Sequence, residues 1–291
     1  MSFTRRISGR RSCVCAAFVF AFAGMGSLAF GQAPPSYPPQ ELDRLVQRVA
    51  LYPDPLLSQI LAAATFPDQI PPAAQWSDQH HYLVGDALAR AISDDRLPWD
   101  PSVQALLPFP SVLSMLASDM AWTTELGNAF LAGQPQLMDA VQRERRLAYN
   151  YGYLRTNPQI IVNAGPNIEI LPANPAFIVV PYYDPLVVFA APRPGFFVGS
   201  AIGFRFGITI GAAFAPWGWG AAHFAWGQHV LFINNARWNR TWVNRAVYVH
   251  PYALPRYSGP RPAERHALEV RTERERQAWR DGRAREEEHH R

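Results

Sequence analysis

The 291-residue chain contains 27 arginines and no lysine, against 23 acidic residues. The lack of lysine excludes a phosphate-binding loop with its lysine, a Schiff-base lysine and a Ser-x-x-Lys nucleophile. The formal net charge of +4 comes from the four arginines that precede residue 12. The rest of the chain is balanced, which excludes a basic nucleic-acid-binding protein.

The chain begins with the three parts of a secretory signal peptide. A basic head is followed by an apolar run over residues 13–30 and by the small-x-small site Ala29-Phe30-Gly31. We therefore expect residues 1–31 to be a signal peptide and Gln32 to be the first mature residue, with general secretion favoured over twin-arginine export. An uncleaved membrane anchor is the alternative, because the apolar run is nearly long enough to span a bilayer. Both cysteines lie inside this segment, so the mature chain is expected to have no disulfide and no thiolate ligand.

A proline-rich linker, residues 32–40, separates the predicted signal peptide from a predicted helical domain over residues 41–155. Within that domain apolar side chains recur at positions i, i+3, i+4 and i+7, which is the spacing of one face of a helix. The pattern predicts a compact bundle of short helices. Five helices are expected, at residues 42–50, 56–64, 83–92 and 112–130 and from about residue 135.

Two of the predicted helices begin with the same dipeptide, Asp54-Pro55 and Asp100-Pro101. An Asp side chain accepts hydrogen bonds from the unpaired N–H groups of a first helical turn, and proline at the first helical position loses nothing by lacking its own N–H. We therefore predict that Asp54 and Asp100 are helix caps. A role as catalytic carboxylates is the alternative.

Near Gly152 the pattern changes to short β-prone runs separated by Asn, Gly and Pro. The prolines confine these runs to sheet edges or short pairings. The predicted fold class is α+β: an N-terminal bundle of short α-helices, then a small proline-punctuated β-rich region, a Gly/aromatic-rich segment and a charged tail. In residues 156–190, strands are expected at 159–163, 167–171, 177–180 and 186–189. The Gly/aromatic-rich segment covers 191–255, and the tail, disordered or a single helix, covers 256–291.

Several separate motifs follow one another through residues 41–190. They are Ala50-Leu51-Tyr52-Pro53-Asp54-Pro55-Leu56-Leu57, Pro98-Trp99-Asp100-Pro101-Ser102-Val103, Leu107-Pro108-Phe109-Pro110-Ser111-Val112-Leu113, Met138-Asp139-Ala140-Val141-Gln142, Pro172-Ala173-Asn174-Pro175 and Val180-Pro181-Tyr182-Tyr183-Asp184-Pro185. Together they resemble the exported bacterial family called domain of unknown function 3300 (DUF3300). The resemblance implies an exported or envelope-associated protein with a variable Gly- and aromatic-rich C-terminal part. It implies no activity and no catalytic residue.

A glycine recurs at every fourth position in the first part of the Gly/aromatic-rich segment. The candidate interaction residues there are Gly199, Gly203, Gly207 and Gly211, together with Arg205. In a helix this spacing forms a groove for close backbone approach, as in membrane interfaces, and the apolar run 196–215 is about long enough to span a bilayer. In a strand, the bulky residues at even positions share one face and the glycines the other, which lets aromatic rings stack on them. The helix, the strand and a self-associating or surface-inserting segment all remain open.

Tryptophans follow directly, in a region that is strongly cationic. Residues 185–263 contain seven arginines and no acid. Rings beside arginines could stack on sugars or lie at a lipid headgroup boundary, and the alternative is that they are buried against one another. The candidate contact residues are Trp217, Trp219, Trp226, Trp238 and Trp242.

No residue pattern predicts a metal or cofactor site. The histidines at 80–81, and the pair His223 and His229, lack a third ligand at a diagnostic spacing, so surface histidines are the preferred interpretation. Glu169 and Asp184 could form an acid pair in a cleft, as glycosidases need, although Asp184 is equally suited to a turn.

The sequence therefore predicts an exported, non-enzymatic envelope protein, located in the periplasm or outer envelope, with membrane association as one form of that location. The predicted partners are membrane lipid, cell-wall polysaccharide or a second copy of the chain, and no nucleic acid. The Gly/aromatic-rich segment is expected to mediate the contact. The alternative is a hydrolase that acts on envelope polysaccharide with paired carboxylates.

Overall fold

A computed structural model describes residues 33–192, 201–205, 208–210 and 212–250 of the chain. The predicted signal peptide, 1–31, and the predicted charged tail, 256–291, lie outside the described residues. Eight helices occur among the described residues before residue 151. They are α1 Pro39–Val46, α2 Asp54–Ala64, α3 Ile70–Gln79, α4 Gly85–Asp94, α5 Pro101–Gln104, α6 Pro110–Ser118, α7 Met120–Ala132 and α8 Gln134–Asn150.

The apolar periodicity located most of these helices and missed two features. Helix α3 was not predicted, because two prolines near its start and several polar residues obscure its apolar face. The predicted helix 112–130 is two helices, α6 and α7, which meet at Asp119. The backbone of Asp119 is not helical, and its side chain accepts a hydrogen bond from the Trp122 N–H at the start of α7. The side chain thus starts a new helix where the apolar pattern runs on unbroken.

Of the two predicted caps, Asp100 is confirmed and Asp54 is wrong. Asp100 accepts a hydrogen bond from the Ser102 N–H at 2.9 Å, at the start of α5. Asp54 is the first residue of α2, where Pro53 occupies the cap position and no side chain caps the helix. The Asp54 carboxylate points instead into the interior, as described below.

In the part of the chain that the structure describes, nine short strands follow these helices. They are β1 Ile160–Ala164, β2 Ile168–Pro172, β3 Phe177–Ile178, β4 Pro181–Tyr183, β5 Ile202–Phe204, β6 Ile208–Thr209, β7 His223–Ala225, β8 Val230–Ile233 and β9 Ala236–Arg237. All described pairings are antiparallel: β1 with β2, β3 with β6, β4 with β5, and β8 between β7 and β9. The α+β fold class is confirmed.

The strand predicted at 186–189 is wrong. These residues belong to a short helix, α9 Pro185–Val188, which is the ninth helix in the part of the chain that the structure describes. The Asp184 side chain caps it by accepting a hydrogen bond from the Leu186 N–H at 2.9 Å. The Asp-Pro dipeptide thus starts a helix here, although the β-branched residues that follow favour a strand.

The glycine-spaced segment is extended where the structure describes it. Its residues form β5 and β6, and a 3-10 turn follows at Ala212–Trp217. This supports the strand interpretation over the single long helix. Among the described residues, no helix combines the length and the apolar character needed to cross a membrane. Of the four candidate glycines only Gly203 is described, since Gly199, Gly207 and Gly211 lie outside the described residues.

One hydrophobic core joins the helices to the aromatic segment. Its buried side chains come from all of α1–α8, from β3, β7 and β8, and from the five candidate tryptophans. A second, smaller cluster lies between the end of α8, the β1–β2 hairpin and α9. Residue 34 and the described residues after it form one compact unit. The larger core thus includes residues on both sides of positions 155 and 190.

Candidate functional site

The five candidate tryptophans are buried, each with 9% or less of its surface exposed. Trp217 donates its indole N–H to the Gln104 side chain at 3.0 Å. Trp219 donates to the carbonyl oxygen of Ala105, also at 3.0 Å. Both acceptors lie at or just after the end of α5, so the indoles fix the aromatic segment to the helical part of the chain.

Helix α2 explains why the tryptophans lie inside. Ten of its 11 residues are buried, so it needs covering on all sides. Helices α5 and α7 cover part of it, and β7 and β8 of the aromatic segment cover another part. The indoles therefore fill the chain's own core, which is the alternative that the sequence left open for them.

Asp54 and Arg145 form a buried ion pair. The Arg145 Nη1 atom lies 2.6 Å from Asp54 Oδ1, and the two side chains are 0% and 5% exposed. The guanidinium also donates to the carbonyl oxygens of Ala50, Tyr52 and Ile168. The other carboxylate oxygen, Asp54 Oδ2, accepts the Trp226 indole N–H at 2.9 Å.

This ion pair holds four parts of the chain together: α2, α8, β2 and the turn at Trp226. Burial raises the pKa of the Asp54 carboxyl, and the Arg145 guanidinium offsets part of that rise. The Arg145 guanidinium also lies over the Trp226 ring, at 4.9 Å from its centroid. Because its oxygens are engaged by these partners, we assign Asp54 a structural role.

A second buried carboxylate, Glu144, lies between α1 and α8. The Gln47 side chain donates to it at 3.3 Å. Burial, as the largest cause, raises the pKa of Glu144 to about 7, and the nearby Asp43 carboxylate adds to the rise. The carbonyl oxygen of Gln47 accepts the Tyr183 hydroxyl at 2.8 Å, so this polar network extends to the end of β4.

Two adjoining cavities form a groove on the surface, which we call the Arg205 groove. Their volumes are about 290 and 760 Å³. Both are lined by Ser111, Val180, Tyr182 and Arg205. Arg48, Tyr52 and Tyr183 complete the polar lining of the smaller one. Among the residues that the structure describes, no aspartate or glutamate lines either cavity.

Arginines supply the charge of the groove. Arg205 lies just after β5, where its backbone N–H donates to the carbonyl oxygen of Val180. Its side chain is exposed, and it makes no hydrogen bond or ion pair with another described residue. Arg48, on the other wall, pairs with Asp119 at 2.9 Å, so its charge is partly balanced. The groove is therefore cationic, and Arg205 supplies most of the unbalanced charge.

Gly203 holds an exposed tyrosine ring in place at the groove. Gly203 pairs with Tyr182 across β4 and β5, and a Cβ added to the glycine would lie 2.2 Å from Tyr182 Cζ. Only a residue without a side chain therefore allows the Tyr182 ring to lie across β5. The ring is 57% exposed. The prediction that a glycine face accepts an aromatic ring holds at this position.

Two further tyrosines form a neutral, fixed wall. Burial raises the pKa of Tyr52 to about 12, and the guanidiniums of Arg48 and Arg205 lower it by a smaller amount. Burial likewise raises the pKa of Tyr183 well above its usual value. The Tyr183 hydroxyl is held between the carbonyl oxygen of Gln47 and the N–H of Leu51. The wall therefore carries no negative charge near neutral pH.

Comparison with known proteins identifies the family. The profile of the family described as "Protein of unknown function (DUF3300)" matches residues 38–258. The chain belongs to the DUF3300 family. It is also 36% identical to the "Uncharacterized protein YacH" of Escherichia coli (strain K12), over a stretch that covers 51% of this chain and 29% of that relative. The match thus spans less than a third of the relative's length. No solved structure matches the chain.

The DUF3300 match extends well beyond residue 190, where the resemblance seen in the sequence ended. The fold gives the reason, because the aromatic segment is part of the same core as the helices. Three of the separate DUF3300 motifs also meet at the Arg205 groove. The first supplies Tyr52, the third supplies Ser111, and the last supplies Tyr182 and Tyr183. Their common position in DUF3300 motifs was the available signal for these residues, which the candidate set omitted.

The remaining polar candidates have local roles. Asp184 caps α9, and the Glu169 side chain lies within 3.5 Å of the Asn163 amide. His80 stacks on Trp76, and His229 contacts Asp139. Among the residues that the structure describes, no group of three His, Cys, Asp or Glu side chains could hold a metal ion.

The chemistry that the groove offers is recognition of an anion. An arginine fork, a hydroxyl and an exposed ring are suited to bind a negatively charged, partly apolar group. The two buried carboxylates do not line either cavity of the groove. No described observation therefore favours the hydrolase over a binding protein.

Proposed function

We propose that this DUF3300 protein is an exported envelope protein that acts by binding, and that the Arg205 groove is its contact surface for wall material. Export is supported by the signal-peptide pattern of residues 1–31. The observation that carries the binding role is the lining of the groove, which among the described residues has two arginines, three tyrosines and no carboxylate. Paired carboxylates, which the hydrolase alternative requires, are not brought together there.

Wall polysaccharide is the preferred partner among those predicted. The groove is concave, and its open ring, Tyr182, stands beside a charged side chain, which fits a polymer that carries both polar edges and apolar faces. A membrane contact would use a broad apolar surface, and self-association would use a self-complementary one. Lipid and a second copy of the chain are therefore the competing outcomes.

Cell fractionation tests the location. The full chain, with a C-terminal epitope, is expected in the periplasmic or envelope fraction with Gln32 at its N-terminus. A matched chain that starts at Gln32 is expected to stay in the cytoplasm. Recovery of the full-length chain from the cytoplasm with residues 1–31 still attached would refute export.

Point variants test the groove better than truncation does. A chain cut after Ala190 loses the tryptophans of the core, so its behaviour reports folding and not binding. The double variant Arg205→Gln, Tyr182→Ala is expected to move from the envelope fraction to the freely released periplasmic fraction. Arg237→Gln, an exposed arginine of β9 that lines neither cavity of the groove, is the control and should behave as the parent chain does. Equal retention of both variants would exclude the groove as the contact surface.

A further inference from the structure

Resting on the binding role proposed above, we infer that the Arg205 groove binds a carboxylate-bearing glycan, with Arg205 on the carboxylate and Tyr182 on a sugar face. Four independent features of the described residues lead to this ligand class. They are the unpaired charge of Arg205, the Tyr182 ring that lies over Gly203, the neutral wall formed by Tyr52 and Tyr183, and the shape of the two cavities.

The unpaired positive charge of Arg205 favours an anionic ligand. Arg205 is exposed and makes no ion pair or hydrogen bond with another described residue, while Arg48 already has Asp119. A guanidinium binds a carboxylate with two parallel hydrogen bonds, a geometry that a point charge cannot supply. Ser111 borders both cavities and adds a hydroxyl near the start of α6.

The exposed Tyr182 ring favours a ligand that has a flat apolar face as well as a charge. Tyr182 is 57% exposed, and its position across Gly203 holds the ring at the rim of both cavities. A small inorganic anion would use Arg205 and leave this ring without a contact. A sugar ring has an apolar face that packs on an aromatic ring and polar edges that remain in water.

The fixed wall and the cavity shape favour a chain of sugars. Tyr52 donates to the Met115 sulfur and Tyr183 to the Gln47 carbonyl oxygen, so both rings are held in place before any ligand arrives. Pre-ordered side chains reduce the entropy cost of binding. The larger cavity continues from the shared residues past Gln159 and Phe204. Its volume of about 760 Å³ lies within the range of about 300–1,000 Å³ that is usual for ligand sites.

Titration calorimetry of the purified mature chain, residues 32–291, tests the inference. The probe is an oligogalacturonate, and the matched neutral probe is a glucan oligomer of the same length. The measurements are made at about 0.15 M salt, so that weak polyelectrolyte attraction is screened. We expect binding of the oligogalacturonate and none of the glucan. Vesicles of phosphatidylglycerol form a third arm, and we expect no binding to them.

Four variants locate the site. Arg205→Gln and Tyr182→Ala should each weaken oligogalacturonate binding by about tenfold or more, the change expected for loss of a charge-assisted hydrogen bond or a ring contact. Tyr182→Phe keeps the ring and should bind almost as the parent chain does. Arg237→Gln removes a charge outside the groove and should also bind as the parent chain does. Far-UV circular dichroism and thermal unfolding verify that each variant is folded.

The outcomes separate the possibilities. No binding of the oligogalacturonate, an equal loss in Arg237→Gln, or binding of the vesicles alone would each overturn the inference. None of these results affects the export experiment, so the ligand class can fail while the envelope location stands. Conversely, if the full chain stays in the cytoplasm but still binds the oligogalacturonate through Arg205, the export proposal fails and the ligand class stands.

Discussion

Arg145 and Asp54 form a fully buried ion pair, with Nη1 and Oδ1 2.6 Å apart. Removal of one partner of a buried pair leaves an uncompensated charge in the interior, which costs about 3–5 kcal/mol of folding free energy. We therefore expect Asp54→Asn to lower the free energy of unfolding by about that amount, measured by urea denaturation of the mature chain. The variant keeps the size of the side chain, so the loss reports charge and not volume.

An exposed ion pair of the same geometry is the control for that experiment. Arg143 and Asp43 are also 2.6 Å apart, but their side chains are 43% and 24% exposed. Exposed pairs contribute below about 1 kcal/mol, so Asp43→Asn should change the free energy of unfolding only slightly. Equal losses in the two variants would show that burial does not set the strength of the Asp54 pair.

The indole N–H of Trp226 supports the same carboxylate, and Trp238 offers a matched comparison. Both tryptophans are buried, but the Trp238 N–H donates to no described residue while the Trp226 N–H donates to Asp54. Trp226→Phe should leave a buried acceptor, Asp54, short of a partner. It should cost about 1–3 kcal/mol more than Trp238→Phe, in which the ring shrinks by the same amount. Thermal unfolding of both variants gives the difference. A similar cost for each would mean that ring volume alone matters.

The local parts of this arrangement could be predicted from the sequence, and the long-range parts could not. The cap at Asp100 depends on a contact two residues away, and the helical face of α2 repeats within one segment. The role of Asp54 depends on Trp226, which is 172 positions away. Sequence periodicity carries no information on a contact between residues so far apart. The helix-cap rule for Asp-Pro therefore gave the wrong role for Asp54, whose role is decided by its buried ion pair with Arg145.

The candidate site followed the same division. Gly203 was predicted from the glycine spacing and Arg205 as the charge within the same apolar run, and both belong to the groove as described. Tyr52 and Tyr182 were missed as site residues because the groove appears only when distant motifs meet. The five tryptophans were named as contact residues, with burial as the alternative, because composition cannot show that α2 lacks cover. A ring-rich segment and an uncovered apolar helix in one chain are the combination to look for.

Glu144 should make the stability of the protein depend on pH. Its pKa is raised from the ordinary value of 4.5 to about 7, so the folded state binds this proton more tightly than the unfolded state does. The contribution of protonated Glu144 to the folding free energy is therefore complete below pH 4.5 and is lost as the pH rises through 7. We expect a loss of about 1–2 kcal/mol between pH 5 and pH 8.

The neutral variant Glu144→Gln isolates this effect from other titrating groups. It should be about as stable as the parent chain at pH 5 and more stable than the parent chain at pH 8, as measured by urea denaturation at both values. Asp43 and Arg143 face the same carboxylate and are kept unchanged. If the difference between parent chain and variant is the same at the two pH values, the Glu144 carboxyl does not titrate in this range.

Two glycines should respond differently to the same substitution, because their neighbours differ in freedom to move. A Cβ on Gly127 in α7 would lie 2.0 Å from the Ala64 carbonyl oxygen, which is backbone of α2. Gly127→Ala should therefore push two helices apart and cost about 3 kcal/mol, although alanine favours a helix by about 1 kcal/mol.

A Cβ on Gly203 meets only the exposed end of Tyr182, which can swing into solvent. Gly203→Ala should thus cost below about 1 kcal/mol in unfolding free energy, yet weaken oligogalacturonate binding as Tyr182→Ala does. A variant that loses stability but retains binding would show that Gly203 serves the fold and does not seat the Tyr182 ring for a ligand.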